Sequence, residues 1–352
     1  MLILGIETSC DETSAAVYES SSAESGCLRS NVVASQVDLH AAFGGVVPEL
    51  SARAHVERLP VVVSESLRLA GLSFSDLDSI AVTARPGLLS ALLCGISFAK
   101  GLSLALDRPL YAVDHVKAHV AAAFLEFPSA SLVESSARPI NPGDLPVLAL
   151  VASGGHTLMA RQTSPLDFQL LGTTRDDAVG EAFDKVGQLL GLPFPGGPHV
   201  ERAAASGDPS AFSFPVGIIR GAPLDFSFSG LKTAVLYALA KMPARERRRR
   251  TVDVAASFQR AAIRALSERA VTAVRETGIR SVVLCGGVAA NRTLRQTLSS
   301  DLAAVGARLF VPPAVFCGDT GAQVAVYGSF LAAAGCPPVQ DVDASTTSEL
   351  FE

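Results

Sequence analysis

Short apolar runs bounded by turn residues alternate along this chain with segments of helical period, the pattern of an α/β protein. LILGIET (2–8), SAAVYES (14–20), SIAVTA (79–84), VLALVAS (147–153), HTLMARQ (156–162) and SVVLCGG (281–287) read as strands. Helical periodicity runs through 47–72, 175–192, 252–278 and 320–335. LILGIETSCDETSAAVYES is a strand, a small-polar turn and a second strand, and VLALVASGGHTLMARQTS repeats that layout about 145 residues later. Two related halves, each opening on a hairpin, imply a duplicated α/β domain with a cleft between the copies. The Ser- and Pro-rich stretch 126–144 fits a boundary.

The 352 residues suffice for two cores. A formal charge of −5 argues against a generally basic surface, so a nucleic-acid partner would need local patches or help from other subunits. One such patch, ARERRRR (244–250), reads first as a solvated helix end and second as a nucleic-acid contact. The six cysteines show no CxxC pair, which fits reduced thiols rather than a disulfide framework or zinc module. The acidic start MLILGIETSCDE is unlike a signal peptide. Residues 88–106 could span a bilayer by length, but Lys100, two glycines and three serines favour a buried helix. The expectation is a soluble, cytoplasmic protein. The polar tail DASTTSELFE is expected to fray.

Two of the six histidines, His115 and His119, stand four apart in YAVDHVKAHVAAAF. On a helix both imidazoles share a face and could reach one ion, although packed histidines at this spacing are also common. The zincin pattern HExxH needs a glutamate where this chain has Val116. A third ligand would come from elsewhere, and Asp319 is a candidate whose alternative role is a helix N-cap. Two imidazoles and a carboxylate with open positions suit Fe(II) or Zn(II). The Gly-Gly turns in VASGGHT, FPGGPHVE and LCGGVAAN allow a ligand to approach backbone N–H groups, and their recurrence favours a nucleotide. Neither a Walker A loop nor a Rossmann fingerprint is present. Asp177, Glu181 and Asp184 fall at one-face helical spacing. Asp11 and Glu12 occupy the first hairpin turn, where they could hold a metal or water or shape the turn.

ETSCDET, SQVDLHAAFGGVVPELSARAH, HVKAH, SGGHT, DDAVGEAFDKVGQLLGLPFPGGP, FSFSGLKTAV, GGVAANRTLR and CGDTGA occur together and in order. With them the chain resembles the tRNA N6-adenosine threonylcarbamoyltransferase family, formerly called the O-sialoglycoprotein endopeptidase family, in its bacterial branch. The resemblance implies an actin/Hsp70/sugar-kinase fold: a first domain over 1–125 completed by a helix at about 320–335, a second over 126–319, and a tail over 336–352. It implies a metal, usually iron, on His115, His119 and Asp319. It also implies threonylcarbamoyl-AMP contacts at Val151, Ala152, Ser153, Gly154, Gly155, Asp184, Gly197, Glu201 and Asn291. Asp11 and Glu12 are candidate catalytic carboxylates.

The implied reaction carries the threonylcarbamoyl group to N6 of the adenosine 3′ of the anticodon, in tRNAs reading codons that begin with A. A paralogous dimerisation subunit and a small ATPase are the implied partners, and no membrane is. The competing reading is a metalloendopeptidase acting on glycoproteins. Four places depart from the family pattern. Arg85-Pro86-Gly87 stands for the usual GPG, Ser90 for a common glycine and CGDTGAQ for CTDNGAM, and the Pro-Arg-Trp ending is missing.

Overall fold

The computed structural model describes residues 1–21, 26–125 and 139–351. The expected boundary stretch 126–144 lies mostly outside them. The chain opens with β1 (Leu2–Glu7), β2 (Glu12–Ser20) and β3 (Gly26–Ser35), then α1 (Val37–Ala41) and α2 (Pro48–Ala70). There follow β4 (Ser79–Arg85), α3 (Leu89–Leu106), β5 (Leu110–Asp114) and α4 (His115–Ala121). A second set begins with β6 (Val147–Ala152), β7 (Thr157–Gln162) and β8 (Phe168–Thr173). It continues through α5 (Val179–Leu189), α6 (Gly196–Ala204), α7 (Ser229–Ala240) and α8 (Ala244–Thr277). β9 (Ser281–Cys285), α9 (Arg292–Ala304) and β10 (Arg308–Phe310) complete it, and α10 (Gly321–Ala333) returns to the first set.

These elements form two mixed α/β units. One comprises residues 1–145, 163–168 and 312–352, the other 146–162 and 169–311. Their five-stranded sheets have the same strand order, β3-β2-β1-β4-β5 and β8-β7-β6-β9-β10. In each, the opening strand pairs antiparallel with its hairpin partner and parallel with the fourth strand, as in Leu4 opposite Val17 and Ile80, or Leu150 opposite Met159 and Leu284. The repeat read from the two hairpins is therefore a repeat of whole-sheet topology.

In the first unit Leu4, Ile6, Val17, Val63, Leu67, Ile80, Leu92 and Ile96 form the core between the sheet and α2 and α3. Each such side chain stabilises by about 1.5–3 kcal/mol on burial. α10 lies on the other side of β1, close enough that a Cβ on Gly5 would fall 2.5 Å from the backbone nitrogen of Ala325. Only glycine permits this approach. Ser14 Oγ accepts a hydrogen bond from Gly321 N–H at 2.8 Å, fixing where α10 starts.

Three sequence expectations change. α3 is long and apolar enough to cross a membrane, but it is not wholly buried as expected. It buries Ala91, Leu92, Gly95, Ile96 and Ala99 along one face and leaves Leu89, Leu93 and Leu104 exposed. α8 starts at Ala244, not 252, because arginine is a good helix former, so ARERRRR is its exposed first two turns. The tail does not fray: Ser345 N–H bonds to Ala84 C=O at 3.0 Å, and Ser348 is fully buried.

Candidate metal centre

β5 delivers the chain straight into α4, whose first residue is His115. The N-cap Asp114 accepts from the N–H groups of Val116 and Lys117, so this two-turn helix begins at a fixed point. His115 and His119 follow on one face, with ring centroids 4.4 Å apart. Asp319 comes from the turn ahead of α10. It is not that helix's cap, since Thr320 holds the N-cap position. Asp319 Oδ1 instead lies 3.5 Å from His115 Nε2 and 3.3 Å from His119 Nε2. One ligand atom from each residue lies within 4.8 Å of the others, as one divalent ion requires.

The histidines themselves test the fit. His55, also buried, is satisfied by Thr13, Gln36, Ser51 and the Cys10 carbonyl, and burial holds its pKa below the usual value. His40 bonds to Gln36 and to Val47 N–H. His119 is equally buried, yet neither ring nitrogen makes a hydrogen bond. Such an imidazole costs free energy unless something else takes its lone pair. A divalent cation does so, and the donor set fits one.

Glu7, the last residue of β1, is wholly buried and faces His115 Nδ1 at 3.0 Å. Ser9 N–H (2.5 Å) and Thr83 Oγ1 (2.6 Å) donate to its carboxylate. Burial opposes ionising Glu7, but the charge and hydrogen bond of His115 outweigh it and lower its pKa. Burial also opposes protonating His115, and Asp319 and Glu7 overcome this, pushing it up to about 9. With Glu7 holding the Nδ1 proton, Nε2 is the atom turned toward Asp319. Nearby, Glu12 is pushed up to about 10 by burial and by the charges of Asp319 and Asp11. Burial and Asp11 likewise raise the Cys10 thiol.

The remaining candidates lie in the second unit. Val151 and Ala152 end β6, and the turn Ser153–Gly155 abuts α5, where a Cβ on Gly180 would sit 2.5 Å from the Ser153 carbonyl oxygen. Asp184 on α5 accepts from Gly196 N–H at 2.7 Å, at the start of α6. Glu201 on α6 accepts from Arg292 N–H at 2.7 Å, and Asn291, the α9 N-cap, accepts from Leu294 N–H and donates to Gln259. Hydrogen bonds and packing thus join the turn, α5, α6 and the start of α9. A Cβ on Gly154, Gly155 or Gly197 would meet nothing within 4 Å, so protein packing does not demand those glycines. Asp177 precedes α5 instead of sharing its face and pairs with Lys185 and Lys232, while Glu181 pairs with Lys185.

The family described as tRNA N6-adenosine threonylcarbamoyltransferase matches residues 27–326. The chain belongs to that family. A relative of that name from Sorangium cellulosum (strain So ce56) is 48% identical over 354 residues, covering 99% of this chain and 97% of its own. One from Magnetococcus marinus (strain ATCC BAA-1437 / JCM 17883 / MC-1) is 46% identical over 331 residues, covering 93% and 90%. Among solved structures, full-length HypF in its phosphate- and nucleotide-bound form aligns with a TM-score of 0.58 at 14% identity, over 95% of this chain and 55% of that one. HypF of T. kodakarensis gives 0.58 at 15%, over 94% and 47%. The chain spans about half the length of these HypF proteins, and the likeness shows a shared fold alone.

Family membership and the histidine–aspartate cluster together make this chain a metal-dependent acyltransferase in its architecture. The position of a zincin base is filled by Val116, which is buried. Sequence reasoning missed Glu7. Its signal was an acidic residue closing an otherwise apolar strand, LILGIE, where an exposed strand end would be unremarked.

Proposed function

We propose that this chain transfers the threonylcarbamoyl group of threonylcarbamoyl-AMP to N6 of the adenosine 3′ of the anticodon, in tRNAs reading codons that start with A, releasing AMP. The observation that carries the metal-dependent part is the unsatisfied imidazole of His119 beside His115 and Asp319. In the reaction the bond from the carbamoyl carbon to the phosphate oxygen breaks and a bond to N6 forms, with loss of an N6 proton. AMP leaves readily, so the protein's task is to position a poor amine nucleophile and to stabilise charge on the carbonyl and phosphate. His115, His119 and Asp319 would hold the ion, which supplies Lewis-acid charge for that purpose when bound. We assign it as Fe(II), with Zn(II) the alternative for the same donors.

The chain's own residues divide the remaining work. Glu7 orients His115 through Nδ1. Glu12 and Asp11, the carboxylates of the first hairpin turn, are the candidate catalytic groups, and Asp11 is assigned to the amine's proton. The turn Val151–Gly155, Asp184, Gly197, Glu201 and Asn291 are assigned to the adenylate, with open space beside Gly154, Gly155 and Gly197 for backbone approach. The actin/Hsp70/sugar-kinase class is the fold assigned, on the repeated sheet order. The partners assigned are tRNA, a paralogous dimerisation subunit and a small ATPase, in the cytoplasm. Two surfaces support them: the exposed apolar residues of α2 and α3, and the exposed arginines that open α8.

Reconstitution with threonylcarbamoyl-AMP, unmodified tRNA and the partner subunits tests the reading. Modified adenosine should appear in nuclease digests and vanish in His115→Ala and Asp319→Ala. Normal product from both variants would remove the metal from the mechanism.

A further inference from the structure

The last residues of the chain close on the helix that carries the two histidines. Asp114 divides its carboxylate between two tasks. Oδ1 accepts from Val116 N–H (2.9 Å) and Lys117 N–H (3.2 Å) at the start of α4. Oδ2 accepts from Ser348 Oγ (2.7 Å) and Glu349 N–H (2.9 Å) of the tail. Asp114 is 3% exposed and Ser348 not at all, so the bond between them is buried and its loss leaves unsatisfied groups. Glu349 then reaches outward. Its Oε2 lies 2.7 Å from Lys117 Nζ on α4, and its Oε1 lies 3.6 Å from Arg85 at the end of β4. Ser345 N–H, bonded to Ala84 C=O, anchors the other end of the segment.

We propose that the segment 345–351 is a clasp that sets the position of α4, and that Asp114 and Glu349 are positioning residues for the metal ligands. A helix of seven residues is too short to hold itself, so its placement depends on its ends and its packing. His115 is joined directly to the residue that the clasp grips, and His119 is one turn further on. Asp319 comes from a different element, so a shift of α4 changes the spacing of the donor set. The clasp also gives a role to Arg85, which pairs with the tail, and to Lys117, which stands between the two histidines in sequence and faces away to Glu349.

The inference rests on the metal reading above, and its test separates the two. Co(II) is titrated into the full-length protein and into Ser348→Ala/Glu349→Gln, and affinity and the visible d–d spectrum are recorded beside thermal melts. The clasp predicts a cooperative melt with Co(II) affinity lowered about 10–100-fold, the range for groups that orient metal ligands, and an altered spectrum. In the reconstituted assay kcat should fall while KM for tRNA holds. The charge swap Lys117→Glu/Glu349→Lys should recover part of the affinity lost in Glu349→Lys alone. An unchanged affinity and spectrum in the double variant would overturn the clasp. A parent protein that binds no Co(II) would overturn the metal reading and the clasp with it. Should the double variant melt without cooperativity, the charge swap decides by the same two readings.

Discussion

Glu7 and His115 are 108 positions apart in sequence and 3.0 Å apart in space, carboxylate Oε2 against imidazole Nδ1, both buried. The pair sets how proton and metal compete for one histidine. His115 moves from an ordinary value of 6.5 to about 9 in the metal-free fold. The folded chain therefore holds a proton that the unfolded chain releases, and the His115 contribution is complete below 6.5 and lost as pH rises through about 9, while that of Glu7, whose pKa is lowered, is lost toward acid pH. Metal binding displaces that proton, so apparent affinity should climb about tenfold per pH unit through this window. In Glu7→Gln the climb should flatten. At high pH, where protons no longer compete, the variant should still bind about 10–100-fold more weakly because His115 has lost its orienting partner. Isothermal titration from pH 6.5 to above 9 checks both.

Removing or adding the ion should register in stability. Burial, together with the charges of Asp319 and Asp11, pushes Glu12 up to about 10. A bound dication would offset those charges and engage Nε2 of His119. At a free metal concentration near 100 times Kd the gain is about 2.7 kcal/mol, seen as a higher melting temperature that a chelator reverses. Asp319→Ala should melt at one temperature with or without metal.

Two glycines should respond oppositely to alanine. Gly5 faces α10 at a distance that admits no Cβ, and the obstacles are backbone atoms that cannot step aside. Gly5→Ala should destabilise by about 1–3 kcal/mol or more. Gly101 lies on α3 with nothing within 4 Å of a Cβ, so Gly101→Ala should stabilise by about 0.5–1 kcal/mol through helix propensity. Denaturant melts of the two variants beside the parent decide.

How far the sequence could be read followed burial. β1, β6 and β9 show as apolar runs because almost every position is buried. β3 was not recognised because its buried, half-buried and exposed positions follow no strict alternation, and β5 because its five residues merge into α4. The pairing of His115 with His119 is local and therefore visible. Glu7 and the clasp depend on contacts between residues 108 to 264 positions apart, for which no periodicity exists. Asp319 was a candidate at such range from its place before a helix, with an N-cap as the alternative, and resemblance to a family favoured the ligand role.

A partner surface should map to α2 and α3. These helices touch through Cys94 Sγ and the Ala52 carbonyl, and they leave Val56 (62%), Leu89 (51%) and Leu93 (46%) exposed. Exposed apolar side chains on neighbouring helices fit a subunit contact. Leu89→Asp/Leu93→Asp should melt within about 0.5 kcal/mol of the parent, since neither residue is in the core. Its association with the paralogous subunit, followed by sedimentation, should be lost. Retained association would place that contact elsewhere.

The arginines opening α8 should carry part of the tRNA affinity. A helix N-terminus is the positive end of the dipole, so cations there are unfavourable to the helix itself. Arg247 bonds back to the Met242 carbonyl, and Arg250 pairs with Asp253 and lies over Phe212. Among the described residues, the side chains of Arg245, Arg248 and Arg249 have no hydrogen bond or ion pair, and all three are exposed on one helical face. Three unpaired charges kept at an unfavourable position, on a chain of net charge −5, fit an external polyanion. Arg245→Glu/Arg248→Glu/Arg249→Glu should leave the melt and metal affinity unchanged. It should weaken tRNA binding and lower the slope of log K against log salt by about two to three, one increment for each phosphate no longer neutralised. Fluorescence anisotropy across a salt series measures that slope. An equal slope in parent and variant would return these residues to a solvated helix end, with the transfer reaction itself untouched.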